Sequence, residues 1–220
     1  MTIRRAVLAL AISLAVAREA RADFIEIGDA GDTPATAQVT GSGALNFIRG
    51  SLSGYMDADM YAIYIPSIAD FTATTDAQGT VAYDTQLFLF DSSGRPVCAN
   101  DDIANGNGSY NPRSRLAGCN TWDSQGGGLY YLAVSGWDRD PVGPSGAEMF
   151  GDDANYSAVV GPSRSGRGSV MRGWNGDASG NGGTGAYTIQ LGGAQVVPEP
   201  AALMLAMSAG LLLVRRRRAA

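Results

Sequence analysis

Apolar residues in the middle of this chain recur at every second position. From Asp59 to Ile65, DMYAIYI places Tyr61, Ile63 and Ile65 on one side and Met60, Ala62 and Tyr64 on the other. From Ala186 to Leu191, AYTIQL sets Tyr187, Ile189 and Leu191 against Thr188 and Gln190, the pattern of a half-buried antiparallel strand. FTATT (Phe71 to Thr75), TQLFLFD (Thr85 to Asp91) and LYYLAVSG (Leu129 to Gly136) are rich in β-branched or aromatic residues, and Gly, Asn, Asp and Ser clusters separate them. TQLFLF is apolar on both faces, which predicts a central strand with sheet or loop packed on each side. No segment between the two ends of the chain carries a 3.6-residue stripe. Many short strands joined by Gly-rich turns predict an all-β, antiparallel sandwich.

One region departs from this rhythm. Pro141 to Gly185 is unusually rich in Gly, and structureless stretches of this length are uncommon in compact domains. It reads as a flexible excursion with room for one extra strand at Tyr156 to Val160. GPSRSGRGS within it lacks the Gly-Lys-Ser/Thr ending and the strand-loop-helix setting of a phosphate loop.

The two ends have a different pattern. At the start, Arg4 and Arg5 precede an apolar run from Ala6 to Val16, and Ala20-Arg21-Ala22 offers small residues at the two positions a signal peptidase reads. This predicts a signal peptide over 1–22, cleaved after Ala22, and a mature start at Asp23. At the other end VPEP is followed by apolar residues from Ala201 to Val214, then Arg215, Arg216, Arg217 and Arg218. Fourteen helical residues span about 21 Å, short of a hydrocarbon core of about 30 Å. Pro198 and Pro200 stop the helix from extending outward and leave Glu199 exposed, while the arginines favour the cytoplasmic side. The expected topology is a globular domain outside and an arginine cluster inside.

Export agrees with composition. The segment 23–197 holds eight arginines against nineteen Asp and Glu, a net charge of −11, and the chain has no Lys and no His. Such an acidic domain lacks the basic stripe that nucleic acid requires. Without imidazole, Ser-His-Asp and Cys-His systems are excluded and the usual catalytic zinc sites are disfavoured. Carboxylate-pair hydrolysis stays open, since two Asp suffice. Cys98 and Cys119 are the only cysteines. In an oxidising compartment an even pair is most simply a disulfide, with free thiols or half a metal site as the alternative.

The acidic residues are clustered. Asp29 and Asp32 in GDAGDT, Asp57 and Asp59 in MDADM, and Asp101 and Asp102 after Asn100 are oxygen donors of the kind calcium takes, with solvated turn caps as the alternative role. In a strand, Asp57 and Asp59 would share a face. Trp122, Trp137 and Trp174 lie in or beside Gly/Asp-rich loops, where exposed rings stack on sugars or complete a core.

Two resemblances follow from these residues. GSLSGYMDADMYAIYIPSIADFTATT, then YDTQLFLFDSSGRPVCANDD, then GGLYYLAVSGWDRD resembles the bacterial pre-peptidase C-terminal (PPC) family over about Gly28 to Asp138 plus the last strand. The matching positions are Asp57 and Asp59, Asp84 with Leu87, Leu89, Phe90, Asp91 and Gly94, then Asn100, Asp101 and Asp102, and Tyr130, Tyr131, Leu132 and Val134. The resemblance implies a jelly-roll-like β-sandwich, an accessory role in secreted or surface proteins, and calcium held by Asp29, Asp32, Asp57 and Asp59. The excursion after Asp138 departs from the compact family pattern.

The order Pro-Glu-Pro, short apolar helix, arginine cluster at Val197 to Arg218 resembles the PEP-CTERM sorting signal. That resemblance implies a Gram-negative exporter, cutting near the triplet by an exosortase, and delivery to the cell surface or extracellular matrix. The same tail is also described as an ice-binding protein C-terminal domain, a label that belongs to companion domains. The combined expectation is a non-enzymatic adhesion or structural protein, transiently held in the inner membrane, with calcium as cofactor. Its expected partners are signal peptidase, exosortase, and extracellular polysaccharide or other surface proteins. The alternative is a secreted hydrolase using paired Asp carboxylates.

Overall fold

The computed structural model describes residues 21–40, 43–76, 83–122, 126–151, 156–176, 179 and 183–197. Ala20, the rest of the expected signal peptide before it, and the tail from Pro198 and Glu199 through Arg218 lie outside the described residues. Among the described residues no α-helix occurs, so none is long and apolar enough to cross a membrane.

In chain order the strands are β1 (Arg21–Ile25), β2 (Gln38–Val39), β3 (Ala44–Leu52), β4 (Ala58–Ile65), β5 (Thr72–Thr74), β6 (Thr85–Asp91) and β7 (Pro96–Asn100). They continue with β8 (Ile103–Ala104), β9 (Tyr110–Asn111), β10 (Arg115–Ala117), β11 (Gly128–Gly136), β12 (Asp140–Val142), β13 (Gly173–Asn175) and β14 (Gly185–Gly192). One five-stranded sheet runs β1-β3-β14-β5-β10, and the other β2-β4-β11-β6-β7. Pairing is antiparallel except at the edges, where β1 lies parallel to β3 and β2 parallel to β4. The expected antiparallel sandwich gives way to parallel pairing at these two edges alone among the described strand pairs. The register of β1 against β3 shifts between Ala22 and Asp23, the position of the expected cleavage.

The alternation read from the chain becomes the inner face. Tyr61, Ile63 and Ile65 of β4, Leu87 and Leu89 of β6, and Tyr130, Leu132 and Val134 of β11 meet Ile48 and Leu52 of β3 and Tyr187, Ile189 and Leu191 of β14 in one core. Each such side chain taken out of water stabilises the fold by about 1.5–3 kcal/mol. Cys98 and Cys119 join this core, fully buried and bonded as a disulfide. The bond staples β7 to the turn after β10.

The outer face of the second sheet is also covered. β6 is buried along its whole length, paired with β11 and β7. Its cover is the segment expected to be a flexible excursion. Met149, Phe150 and Met171 from that segment are buried against Met60, Phe88, Phe90 and Ala133 as a second core. Phe150 packs 5.4 Å from both Phe88 and Phe90, centroid to centroid. The expectation of a loose loop missed this because three apolar side chains scattered among glycines carry no period. β12 and β13 pair to bring the segment's ends together, and Arg139 closes that base by donating to the Asn175 and Gly176 carbonyls. Tyr156 to Val160 runs beside β7 as a single bridge, Val160 with Ala99, and not as a full strand. That bridge shields the β7 edge from pairing with other chains.

Candidate functional site

Asp59 is the second residue of β4 and points to the inner face, two positions before Tyr61. It is fully buried. Its Oδ2 accepts a 2.6 Å hydrogen bond from the Tyr187 hydroxyl, which also contacts the Tyr61 hydroxyl. Its Oδ1 is shut off from water and has no hydrogen-bond partner. An ionised oxygen in that position is costly, so something must neutralise or ligate it.

Two other carboxylates approach Asp59. Glu26 follows β1 and is tied to the backbone: Oε1 accepts from the Ala30 N–H and Oε2 from the Ser51 N–H, both at 2.8 Å. Asp29 lies exposed in the same N-terminal loop. One carboxylate oxygen from each of Glu26, Asp29 and Asp59 lies within 4.8 Å of the others. Two oxygens on opposite sides of one calcium, each at about 2.4 Å, are separated by about that distance. The Glu26 oxygens keep a second lone pair after accepting their N–H bonds, so both contacts are compatible with ligation. Burial pushes Asp59 up to about 8; the Tyr187 hydrogen bond works against this, and the charges of Glu26, Asp57 and Asp29 add to it.

Of the four acids expected together, the structure joins Asp29 and Asp59 but not Asp57 or Asp32. Asp57 precedes β4 and accepts the Ser53 N–H, closing the turn before the strand. It is therefore not a second same-face ligand of a strand. Asp32 is engaged through its backbone, where its carbonyl accepts the Trp174 indole N–H at 2.7 Å. Glu26 takes the place expected for them. The only hint in the sequence is that it stands beside the GDAGDT acids.

Asp101 and Asp102 do come together, with Asp84, as a second group of carboxylates within 4.8 Å. Burial pushes Asp101 up to about 8, and Asp84, Asp102 and Asp140 push the same way. Burial also raises Asp102. Asn100, beside them, is buried and spends both ends of its amide on structure, accepting from Arg115 N–H and donating to the Ala158 carbonyl.

The three tryptophans have separate settings. Trp174 belongs to the second core, edge-on to Phe88 at 5.5 Å. Trp122 is 38% exposed, but its indole lies so close to Gly161 that a Cβ there would strike the ring. Only Trp137 of the three lines the cavity between β6, β7 and the covering segment. No known protein family matches the sequence, and no curated protein matches it.

Proposed function

We propose that this chain is the globular part of an exported, non-enzymatic surface or matrix protein whose sandwich is rigidified by calcium at Glu26, Asp29 and Asp59. The observation that carries the metal reading is Asp59: fully buried, with Oδ1 lacking a hydrogen-bond partner and one carboxylate oxygen within 4.8 Å of oxygens of Glu26 and Asp29. Calcium there would bridge the N-terminal loop to β4, and so tie one edge of the first sheet to the second. It would supply charge neutralisation and rigidity, and no chemistry beyond that is asked of it.

The jelly-roll-like, PPC-type reading is supported by the two packed sheets and by Asp59 standing at the start of a Tyr-bearing strand. Export is supported by the disulfide and by the terminal patterns at 1–22 and 196–220. In this reading signal peptidase opens the chain after Ala22, and an exosortase removes the tail near Pro198, Glu199 and Pro200. The domain then reaches the cell surface or extracellular polymer.

Thermal melting of the purified protein with calcium and with a chelator tests the site. Calcium at about 100 times its dissociation constant should add about 2.7 kcal/mol of stability. The gain should vanish in Asp59→Asn. A melting temperature indifferent to calcium in the parent would sink the metal reading.

A further inference from the structure

A cavity of about 340 Å³ opens between the outer face of the second sheet and the segment that covers it. Its volume is that of a small-molecule site and far exceeds what one bare ion needs. Phe88 of β6 and Phe150 of the covering segment, both buried, form its apolar floor. Trp137 and Tyr156 line it as well, and Tyr156 is 53% exposed. The acids around it are Asp101, Asp138, Asp140 and Glu148, while no arginine lines it among the described residues. Asp101 Oδ1 is closed to water without a hydrogen-bond partner.

This lining selects by charge. Asp138, Asp140 and Glu148 make the described lining acidic, with no arginine in it, which disfavours uronates, sulfated sugars and phosphates. Aromatic rings beside carboxylates attract an ammonium group, through the ring quadrupole and by direct charge pairing. Gln86 and Asn100 also line the wall with amides already bonded to Asp140, Ser135, Arg115 and Ala158, a polar surface that suits a hydroxylated body better than a hydrocarbon one. Asp138 and Tyr156 are the two non-glycine residues with positive φ among the described residues, at 64° and 55°, and both line this cavity. For a bulky Tyr that conformation is unfavourable, and the fold holds it in the lining of the cavity.

We propose that this cavity is a binding site for an organic ammonium ligand with a hydroxylated ring as its body, the chemistry of an amino sugar. The ring's C–H face stacks on Trp137 and Tyr156, and the ammonium sits among Asp138, Asp140 and Glu148, with Asp101 at the inner end. The site shares no residue with Glu26, Asp29 and Asp59 and stands independently of calcium there.

Calorimetric titration of the full-length protein in calcium-containing buffer provides the test. The probes are the β-1,4 dimer of glucosamine, its N,N′-diacetyl form and cellobiose, which share ring shape and differ in charge. The amine dimer should bind at least about tenfold more tightly than the other two. Asp138→Asn with Glu148→Gln should weaken it about tenfold, since Asn tolerates positive φ and Gln keeps an acceptor for Asn175. Trp137→Ala should weaken all three probes. Equal affinity for the three dimers, absence of amine binding, or an unchanged affinity in the double variant would each overturn the proposal. The melting temperature and calcium response of the double variant should match the parent's, which separates loss of this site from loss of the fold or of the metal site.

Discussion

The Tyr187 hydroxyl donates to Asp59 Oδ2 at 2.6 Å, reaching from β14 in one sheet to β4 in the other. This bond anchors one carboxylate oxygen inside the sandwich and leaves Oδ1 without a hydrogen-bond partner. Tyr187→Phe removes the donor from a fully buried acceptor. Stability should fall by about 1–3 kcal/mol, and calcium should restore less of it than in the parent, as urea unfolding with and without the ion would measure.

Protonation provides a second check. In the unfolded chain Asp59 ionises near 3.8, and in the fold burial holds it neutral up to about 8. The folded state therefore binds the extra proton between those values, and stability of the calcium-free protein falls as pH rises through that window. The slope is at most about 1.4 kcal/mol per pH unit for this group. Asp101, raised to about 8 by burial and by Asp84, Asp102 and Asp140, acts in the same direction. Calcium needs ionised ligands, so its stabilising effect should grow over the same window. Unfolding curves at about pH 5 and about pH 8 in chelator should differ in this sense; a more stable protein at the higher pH would contradict the assignment.

Gly50 bears on the same site. A Cβ there would fall on the Tyr187 hydroxyl and, at 2.6 Å, on Glu26 Oε2. Gly50→Ala should cost about 1–3 kcal/mol through overpacking. Because it displaces two site residues at once, it should also blunt the calcium-dependent shift in melting temperature, whereas Gly54→Ala, with open space around it, should leave that shift intact.

The covering segment should behave as part of the fold. Phe150 is buried against Phe88 and Phe90, so Phe150→Ala should destabilise by about 3–5 kcal/mol. A substitution in a merely solvated loop would cost almost nothing. Denaturant unfolding followed by tryptophan fluorescence reads the difference, since Trp174 is packed in the same cluster.

Reduction of Cys98–Cys119 should lower stability by about 3 kcal/mol in the chain-entropy model for a loop of this size. Both cysteines are fully buried, so in native buffer the thiols should become reactive only as fast as the domain opens. Thiol titration against time, in reductant with and without denaturant, distinguishes this from an exposed bond.

Local pattern and tertiary structure contributed different parts of this protein. The alternation in DMYAIYI and AYTIQL determined strands β4 and β14 and their buried faces, because which residues of a strand face the core depends on a two-residue period alone. TQLFLFD likewise announced a strand covered on both sides, and the lone pair of cysteines announced its bond. The sequence did not reveal what provides the second cover: Met149, Phe150 and Met171 are isolated among glycines and acquire meaning only when β12 and β13 close the segment over β6. Nor did it reveal the composition of the acid groups. The Asp-x-Asp spacing suggested Asp57 with Asp59, but the turn at Ser53 claims Asp57 before the strand begins. Glu26 reaches Asp59 only because β1 runs parallel to β3 and the N-terminal loop then lies beside β4, with the Met60 N–H bonded to the Gly31 carbonyl. Strand character is read from neighbours in sequence, whereas a site requires residues from different strands to meet, and their pairing is settled by the whole core at once.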